Sequence, residues 1–304
     1  MYISENQVRS VLRYEILIPA IRQALIDYSA GRVTQPPRSV LRVHGPDGEP
    51  SGWFAVMPVI AGAFMAVKTV TFYPGNAALG KHTHLAVIEL LDRATGEPLA
   101  VMDGRLITEM RTAAVSAVAA EALAPAKTRT LGILGSGVQA RAHIEALRQV
   151  LPHFRNPGAV RIWSRNQANA AAIAQETAAE VVPIEEAAAS DVVVTVTSAT
   201  QPVLLGKWLA PESLVIAVGA VGPELRELDD EVMRGCLIAE SRQGAERESG
   251  DVLLSGAKVF AEIGEILDGK IKLPPGRRVF KSLGMGIEDL TGAAAVWQAL
   301  HRCD

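Results

Sequence analysis

The 304-residue sequence holds two cysteines, Cys236 and Cys303, far apart and in no C-x-x-C pair. That excludes a cysteine-rich zinc site and fits a reducing compartment. No stretch of about 18 apolar residues is present, so no transmembrane helix is expected. The opening MYISENQVRSVL is charged and amphipathic, unlike a signal peptide. Lys and Arg number 30 against 33 Asp and Glu, a net charge of −3, which leaves no large basic surface for nucleic acid. There is no internal repeat, and no low-complexity tract beyond alanine-rich helices. These absences describe a cytoplasmic protein with neither a nucleic-acid nor a membrane partner. What is there, 49% hydrophobic and 21% charged residues, is the composition of a globular chain with a sizeable core. The length is enough for two domains.

The most informative stretch is 130–146, TLGILGSGVQARAHIEA. Leu131, Ile133 and Leu134 read as a buried strand, and an amphipathic helical pattern follows at once. Between them, Gly135-Ser136-Gly137-Val138-Gln139-Ala140 spells G-x-G-x-x-A, the dinucleotide-binding fingerprint. Gly135 permits the tight turn, Gly137 lets backbone approach a pyrophosphate, and Ala140 lets the helix pack close to the strand. The phosphates then sit at a helix N-terminus rich in unpaired N–H groups.

Before this stretch the pattern is α+β. Ser4, with Gln7 three residues on, reads as a helix start, and a second helix is expected over 17–30, ending at Gly31. Segments 39–43, 53–59, 66–71, 85–92 and 98–102 read as strands of a largely antiparallel sheet, with Asp47-Gly48 and Thr95-Gly96 as hairpin turns. An Ala-rich helix over 106–123 leads to Pro125, where composition marks a boundary. Beyond it, strands at 130–134, 160–163, 191–197, 214–218, 237–239 and 279–281 alternate with helices at 138–150, 167–177, 184–189 and 231–233. That alternation predicts a doubly wound parallel sheet. The fold class is therefore α/β: a Rossmann-type domain at 117–285, and an α+β domain at 1–116 completed by 286–304.

In such sheets ligands bind at the carboxyl ends of the strands. Those ends carry Gly135, Ser164-Arg165-Asn166, Thr197-Ser198-Ala199 and Val218-Gly219-Ala220. An NAD site wants a carboxylate at the tip of the second strand. Here the tip is Ser164-Arg165-Asn166. Arg165 can pair with a 2′-phosphate, and Ser164 or Asn166 can donate hydrogen bonds to it. NADPH is the expected cofactor, with NADH weaker.

The chain resembles the ornithine cyclodeaminase/mu-crystallin family over essentially its whole length. The matching stretches are Gln35-Pro36-Pro37-Arg38, Lys68-Thr69-Val70-Thr71-Phe72-Tyr73, AVMDGRLITEMRTAAVSA (100–117), LGILGSGVQA (131–140), ELDDEVMR (227–234), ESGDVLLSGA (248–257) and VFKSLGMGIEDL (279–290). ESGDVLLSGA and FKSLGM are similar to the mu-crystallin, or ketimine reductase, branch. The resemblance implies a homodimer whose N-terminal domain carries the substrate and dimer surfaces. It implies that Arg38, Lys68 and Arg111 hold a substrate carboxylate beside the nicotinamide, and that Lys281, Ser282 and Leu283 join the cofactor site. A guanidinium fork and an ammonium suit a carboxylate. On this reading Met in place of Arg111 keeps the fold and removes the grip.

His84, which has a histidine counterpart in that branch, is either a donor near the substrate or a satisfied core histidine. His82 and His84 without a third ligand make a poor zinc site. Met110 stands where mu-crystallin carries a lysine.

One departure bears on chemistry. Cyclodeaminases and the archaeal alanine dehydrogenase carry an Asp where this sequence has Val221. Cyclodeamination and amino-acid oxidation need a base; reduction of a cyclic imine does not. The expected activity is therefore NADPH-dependent reduction of Δ1-pyrroline-2-carboxylate and Δ1-piperideine-2-carboxylate to L-proline and L-pipecolate. The alternatives are ornithine cyclodeaminase or alanine dehydrogenase, and a non-catalytic NADPH- and hormone-binding protein.

Overall fold

A computed structural model of the protein describes residues 1–301. In chain order the first elements are β1 (Tyr2–Ile3), α1 (Glu5–Val11), α2 (Tyr14–Ser29), β2 (Ser39–His44), β3 (Pro50–Ala61), β4 (Phe64–Phe72), β5 (His84–Asp92), β6 (Pro98–Asp103) and α3 (Arg105–Leu123). There follow β7 (Leu131–Leu134), α4 (Val138–Val150), β8 (Val160–Trp163), α5 (Gln167–Thr177), β9 (Glu180–Val181), α6 (Ile184–Ala188), β10 (Val192–Thr195) and β11 (Leu214–Ala217). The remainder is α7 (Asp230–Met233), β12 (Cys236–Ala239), α8 (Arg242–Glu248), α9 (Gly250–Ser255), β13 (Ala261–Glu262), α10 (Ile263–Leu267), β14 (Arg278–Lys281) and α11 (Gly286–Leu300).

Two compact units divide these elements: Met1–Arg111 with Met285–Asp304, and Thr112–Gly284. The division falls inside α3, five residues before the expected 116/117, which lies in the same helix, and the turn at Pro125 lies within the second unit. A continuous helix can serve two cores, because turn composition marks where the chain bends and not where the packing partner changes.

In the first unit six strands run in the order β1-β6-β5-β4-β3-β2, antiparallel except for the β1–β6 pair. Ser4 caps α1 with the capping box read from Ser4 and Gln7. Strand alternation sorts the sheet into two faces. Ala55, Met57, Val59, Ala66, Ile88, Leu90, Ala100 and Met102 are buried on one of them. There α11 packs against β3, β4, β5 and α2, so the C-terminal helix completes the N-terminal sheet. The other face carries Leu41, Leu85, Val87 and Val101, 58%, 47%, 44% and 37% exposed, with Tyr2 beside Val101.

In the second unit eight parallel strands take the order β13-β12-β14-β11-β10-β7-β8-β9. The central strands β7, β10 and β11 are buried along their whole length, as expected of a sheet covered on both faces. The predicted helices and long strands are present with ends within three residues of those expected, the largest differences being the starts of α2 and β3. The sequence reading lacks β1, β9 and β13, which have two residues each and too little length for a period, and the short helices α8, α9 and α10. Helices α8 and α9 are held at their starts by Ser241 and Ser249, whose hydroxyls accept from Gly244 N and Val252 N.

His143 on α4 is fully buried. Its Nδ1 donates to the Gln139 carbonyl at 2.7 Å, which leaves Nε2, 2.9 Å from Ser116 Oγ, to accept from that hydroxyl. Burial pushes its pKa down from 6.5 to about 4, against a smaller opposing effect of the Gln139 bond. A group held neutral in this way contributes its stability in full above pH 6.5 and loses it as the pH falls through about 4. Acidification across that window should cost up to about 3 kcal/mol. The fall in Tm between those pH values should be shallower in His143→Asn, which takes up no proton. Equal slopes in the two proteins would refute this role.

Candidate active site

The glycine turn after β7 has the form that a dinucleotide requires. Gly135 has φ +126°, and a Cβ there would lie 2.7 Å from the Val196 carbonyl oxygen, so both conformation and space demand glycine. Gly137 is different. Its φ of −87° is open to any residue, and a Cβ would meet no protein atom within 4 Å. The missing side chain therefore leaves open space over the start of α4. No side chain caps that 13-residue helix, so its first N–H groups are available to an anion. Ser136, Val138 and Gln139 complete this loop.

Ser164 is buried at the tip of β8, where its Oγ accepts from Ser136 Oγ at 2.7 Å and ties the tip to the glycine turn. Asn166 caps α5, its side-chain oxygen accepting from Asn169 N. Arg165 is exposed between them, and no carboxylate stands at the tip.

The remaining strand-end turns hang on buried carboxylates to which the sequence reading assigned no role. Glu227, fully buried, accepts five hydrogen bonds: from Thr195 Oγ1, from Thr197 N and Oγ1, and from Gly219 N and Ala220 N, at 2.7–3.1 Å. One side chain thus sets the turns after β10 and β11, with Ser198, Ala199 and Val218 carried along in them. Asp251, also fully buried, accepts from Glu227 N and Leu228 N at 2.8 and 3.0 Å and from Lys281 Nζ at 2.9 Å. Glu240 accepts from Ser282 Oγ, and from Leu283 N and Gly284 N at 3.0 and 2.8 Å. The side chains of Lys281 and Ser282 are both buried and brace these turns through Asp251 and Glu240. Lys281 Nζ also donates to the Ala220 carbonyl at 3.0 Å.

The first unit brings the cations together. Lys68 lies mid-way along β4, and its cross-strand neighbours Met57 and Ile88 are apolar. Its ammonium is 2.5 Å from Asp289. Arg111 donates through Nε to Asp289 at 3.0 Å and through a terminal nitrogen to Glu288 at 2.7 Å. Glu288 and Asp289 come from the first turn of α11, where the helix dipole favours acids. Gln35, from the Gln-Pro-Pro-Arg stretch, holds that turn by accepting from Ile287 N at 2.9 Å. Arg38 is half-buried, and its charge acts on Lys68. Burial is the main cause that lowers the Lys68 pKa from 10.5 to about 8, with Arg111 and Arg38 adding to it and Asp289 opposing. His84 pairs across the strands with Phe72 and packs on its ring at 4.4 Å, on the same sheet face as Lys68. His84 is exposed, yet the protein atoms around its ring, and then the Lys68 charge, lower its pKa.

Glu288 and Asp289 are the residues that sequence reasoning missed here. Their signal was two adjacent acids in an otherwise apolar helix start, GIEDL. Their presence also corrects one expectation. Met in place of Arg111 would remove the guanidinium from two buried carboxylates, of which Asp289 keeps Lys68, and cost about 3–5 kcal/mol, so the fold would not be indifferent to it. Val221, at the position expected to carry a base in the cyclodeaminases, is 40% exposed.

Residues 1–303 match the ornithine cyclodeaminase/mu-crystallin family. The chain belongs to that family. Among its relatives, the ketimine reductase mu-crystallin of Mus musculus is 42% identical over 98% of this chain and 96% of the relative. Two solved members share the fold at a TM-score of 0.90. One is the Δ1-pyrroline-2-carboxylate reductase of Thermococcus litoralis in complex with NADH and L-proline, 30% identical over 99% of this chain and 98% of that one. The other is an archaeal alanine dehydrogenase dimer with bound NAD, 28% identical over 98% and 95%. Membership fits the nicotinamide dinucleotide that the glycine turn accommodates. Among the described residues, no helix is long and apolar enough to cross a membrane.

The two fingerprint glycines make separable predictions. Gly137→Ala should leave the Tm within about 1 °C, since the new methyl touches nothing in the protein. It should nevertheless weaken dinucleotide binding by about tenfold, roughly 1.4 kcal/mol. Gly135→Ala should destabilise the fold by about 1–3 kcal/mol. Calorimetric melting and cofactor titration of both variants check this. Loss of stability in Gly137→Ala with unchanged affinity would contradict it.

Proposed function

We propose that this protein reduces cyclic 2-carboxy imines, Δ1-pyrroline-2-carboxylate and Δ1-piperideine-2-carboxylate, to L-proline and L-pipecolate, with NADPH preferred over NADH, as a cytoplasmic homodimer. The observation that carries the reading is Lys68: an ammonium with 2% exposure beside Arg111 and acted on by Arg38, with a pKa lowered to about 8. Such a group can both attract a carboxylate and exchange a proton near neutral pH. The kinship to proteins named as imine reductases supports it.

When bound, the dinucleotide supplies the hydride that the imine carbon receives. The chain's own residues do the rest. Arg38, Lys68 and Arg111 hold the carboxylate of the ring, which turns an encounter into a fixed orientation and accounts for most of the rate. A held carboxylate also fixes which ring face is reduced, so a single enantiomer, the L form, is expected. As the imine carbon is reduced, the C=N π pair moves to nitrogen. A substrate arriving as its iminium already carries the N–H. A neutral imine takes one proton, which Lys68 donates and regains from water. No step asks for a base at Val221, whereas cyclodeamination and amino-acid oxidation do.

NADPH preference rests on the exposed Arg165 and the absence of a carboxylate beside it. The dimer rests on the apolar sheet face of Leu41, Leu85, Val87 and Val101. Exposed apolar surface of this kind marks a protein interface.

The deciding assay is NADPH oxidation with the five- and six-membered imines, run beside L-ornithine and beside pyruvate plus ammonia. Imine reduction should dominate. Conversion of ornithine to proline and ammonia at a comparable rate would overturn the reading of Val221. Arg165→Ala should weaken NADPH by about 10- to 150-fold, corresponding to roughly 1.5–3 kcal/mol, and NADH far less. Equal affinity of the unmodified protein for both cofactors would contradict the preference. Sedimentation at micromolar concentration should give a dimer and Val87→Glu a monomer; a monomeric wild type would reject this interface.

A further inference from the structure

The ion pairs of Lys68 and Arg111 are unequal, and the inequality assigns separate tasks to two adjacent acids. Asp289 touches both cations, Lys68 at 2.5 Å and Arg111 at 3.0 Å. Glu288 touches Arg111, at 2.7 Å. All four side chains are nearly or wholly buried, so the geometry is held by protein and not by solvent. The sheet offers the ammonium no counter-ion of its own, since Met57 and Ile88 flank Lys68 across the strands. The acids arrive on α11, and their place is set by Gln35, which accepts from Ile287 N beside them.

We propose that Asp289 is a positioning residue for the imine reduction, fixing the Lys68 ammonium and the Arg111 guanidinium in one arrangement, while Glu288 holds Arg111. The proposal rests on the reading of the site given above. The charged and titratable groups around Lys68 are Asp289 from α11, Arg111 from α3, Arg38 from the segment before β2 and His84 from β5, with Glu288 acting through Arg111. Burial, Arg111 and Arg38 all press Lys68 toward its neutral form, and the opposing pull comes from Asp289. Without that carboxylate the ammonium loses both its anchor and the charge that keeps it protonated near neutral pH. Removing Glu288 leaves the Lys68 pair intact and loosens the guanidinium, whose task is to bind.

The two acids therefore separate in the pH profile. The experiment follows kcat and KM for imine reduction from pH 6 to 10 at saturating NADPH in wild type, Asp289→Asn and Glu288→Gln. It also follows the titration of Lys68 by 15N NMR of lysine-labelled protein, with Lys68→Arg used to assign the resonance. Asp289→Asn should move the alkaline limb of kcat to lower pH by about one unit or more, and the Lys68 titration with it. Glu288→Gln should raise KM by roughly tenfold and leave the limb in place.

A folded Asp289→Asn protein whose limb and Lys68 titration both match wild type overturns the proposal. So does a Glu288→Gln protein that shifts the limb as far. If Asp289→Asn fails to fold, Asp289→Glu keeps the charge but displaces it by one methylene. It should lower kcat while holding the limb, and an unchanged kcat overturns the positioning role. A wild type that reduces neither imine sinks the functional reading instead. The NMR titration still decides whether Asp289 governs Lys68.

Discussion

The structure depends on buried carboxylates that are held by donors and cations. Removing a carboxylate from water costs several kcal/mol unless donors or cations replace the water. Glu227, Glu240, Asp251, Glu288 and Asp289 are all at most 2% exposed, and each is held by a different set of partners. Glu227 is surrounded by backbone N–H and threonine hydroxyl donors. Asp251 combines two backbone donors with the Lys281 ammonium. Glu288 and Asp289 are balanced by Arg111 and Lys68. A buried ion arrangement of this kind is weak as a source of stability, yet losing one partner is costly. What it supplies is a fixed geometry at the places where chemistry is expected.

In the nucleotide-binding unit this logic explains how irregular turns are held. The carboxyl ends of parallel strands are where the ladder stops and backbone groups lose their sheet partners. A side chain that accepts from several of those groups replaces the ladder for one more turn. Glu227 does this for the ends of β10 and β11, and Glu240 does it for the turn after β14. The glycine turn after β7 is held otherwise, by steric necessity at Gly135 and open space at Gly137. The first N–H groups of α4 remain for a ligand because no side chain takes them.

In the other unit the sheet supplies position and the helices supply charge. Lys68 occupies a strand site whose neighbours are apolar, so the carboxylate that opposes its loss of charge comes from a helix. That helix is α11, more than 200 residues further along the chain. The same alternation that turns Lys68 inward turns Leu85 and Val87 outward, which is why one sheet presents both a polar cluster and an apolar surface.

Much of this was legible in the residues themselves. Strand periodicity, the strand–glycine–helix sequence at 130–146 and the βα alternation after Pro125 are local signals, and local signals determine local structure. The fingerprint also determined that a dinucleotide belongs there, since the roles of Gly135 and Gly137 are properties of a single turn. Two-residue strands such as β1 and β13 carried no such signal, because their existence depends on a neighbouring strand. The cations Arg38, Lys68 and Arg111 could be nominated, but not their partners. The pairs Lys68–Asp289 and Thr197–Glu227 span 221 and 30 positions, distances over which no pattern in a single sequence reports a contact. That Lys281 meets Asp251 was likewise undecidable from its place in a motif. Tertiary packing decided it, because a charge that leaves water must find its counterpart wherever the fold brings one.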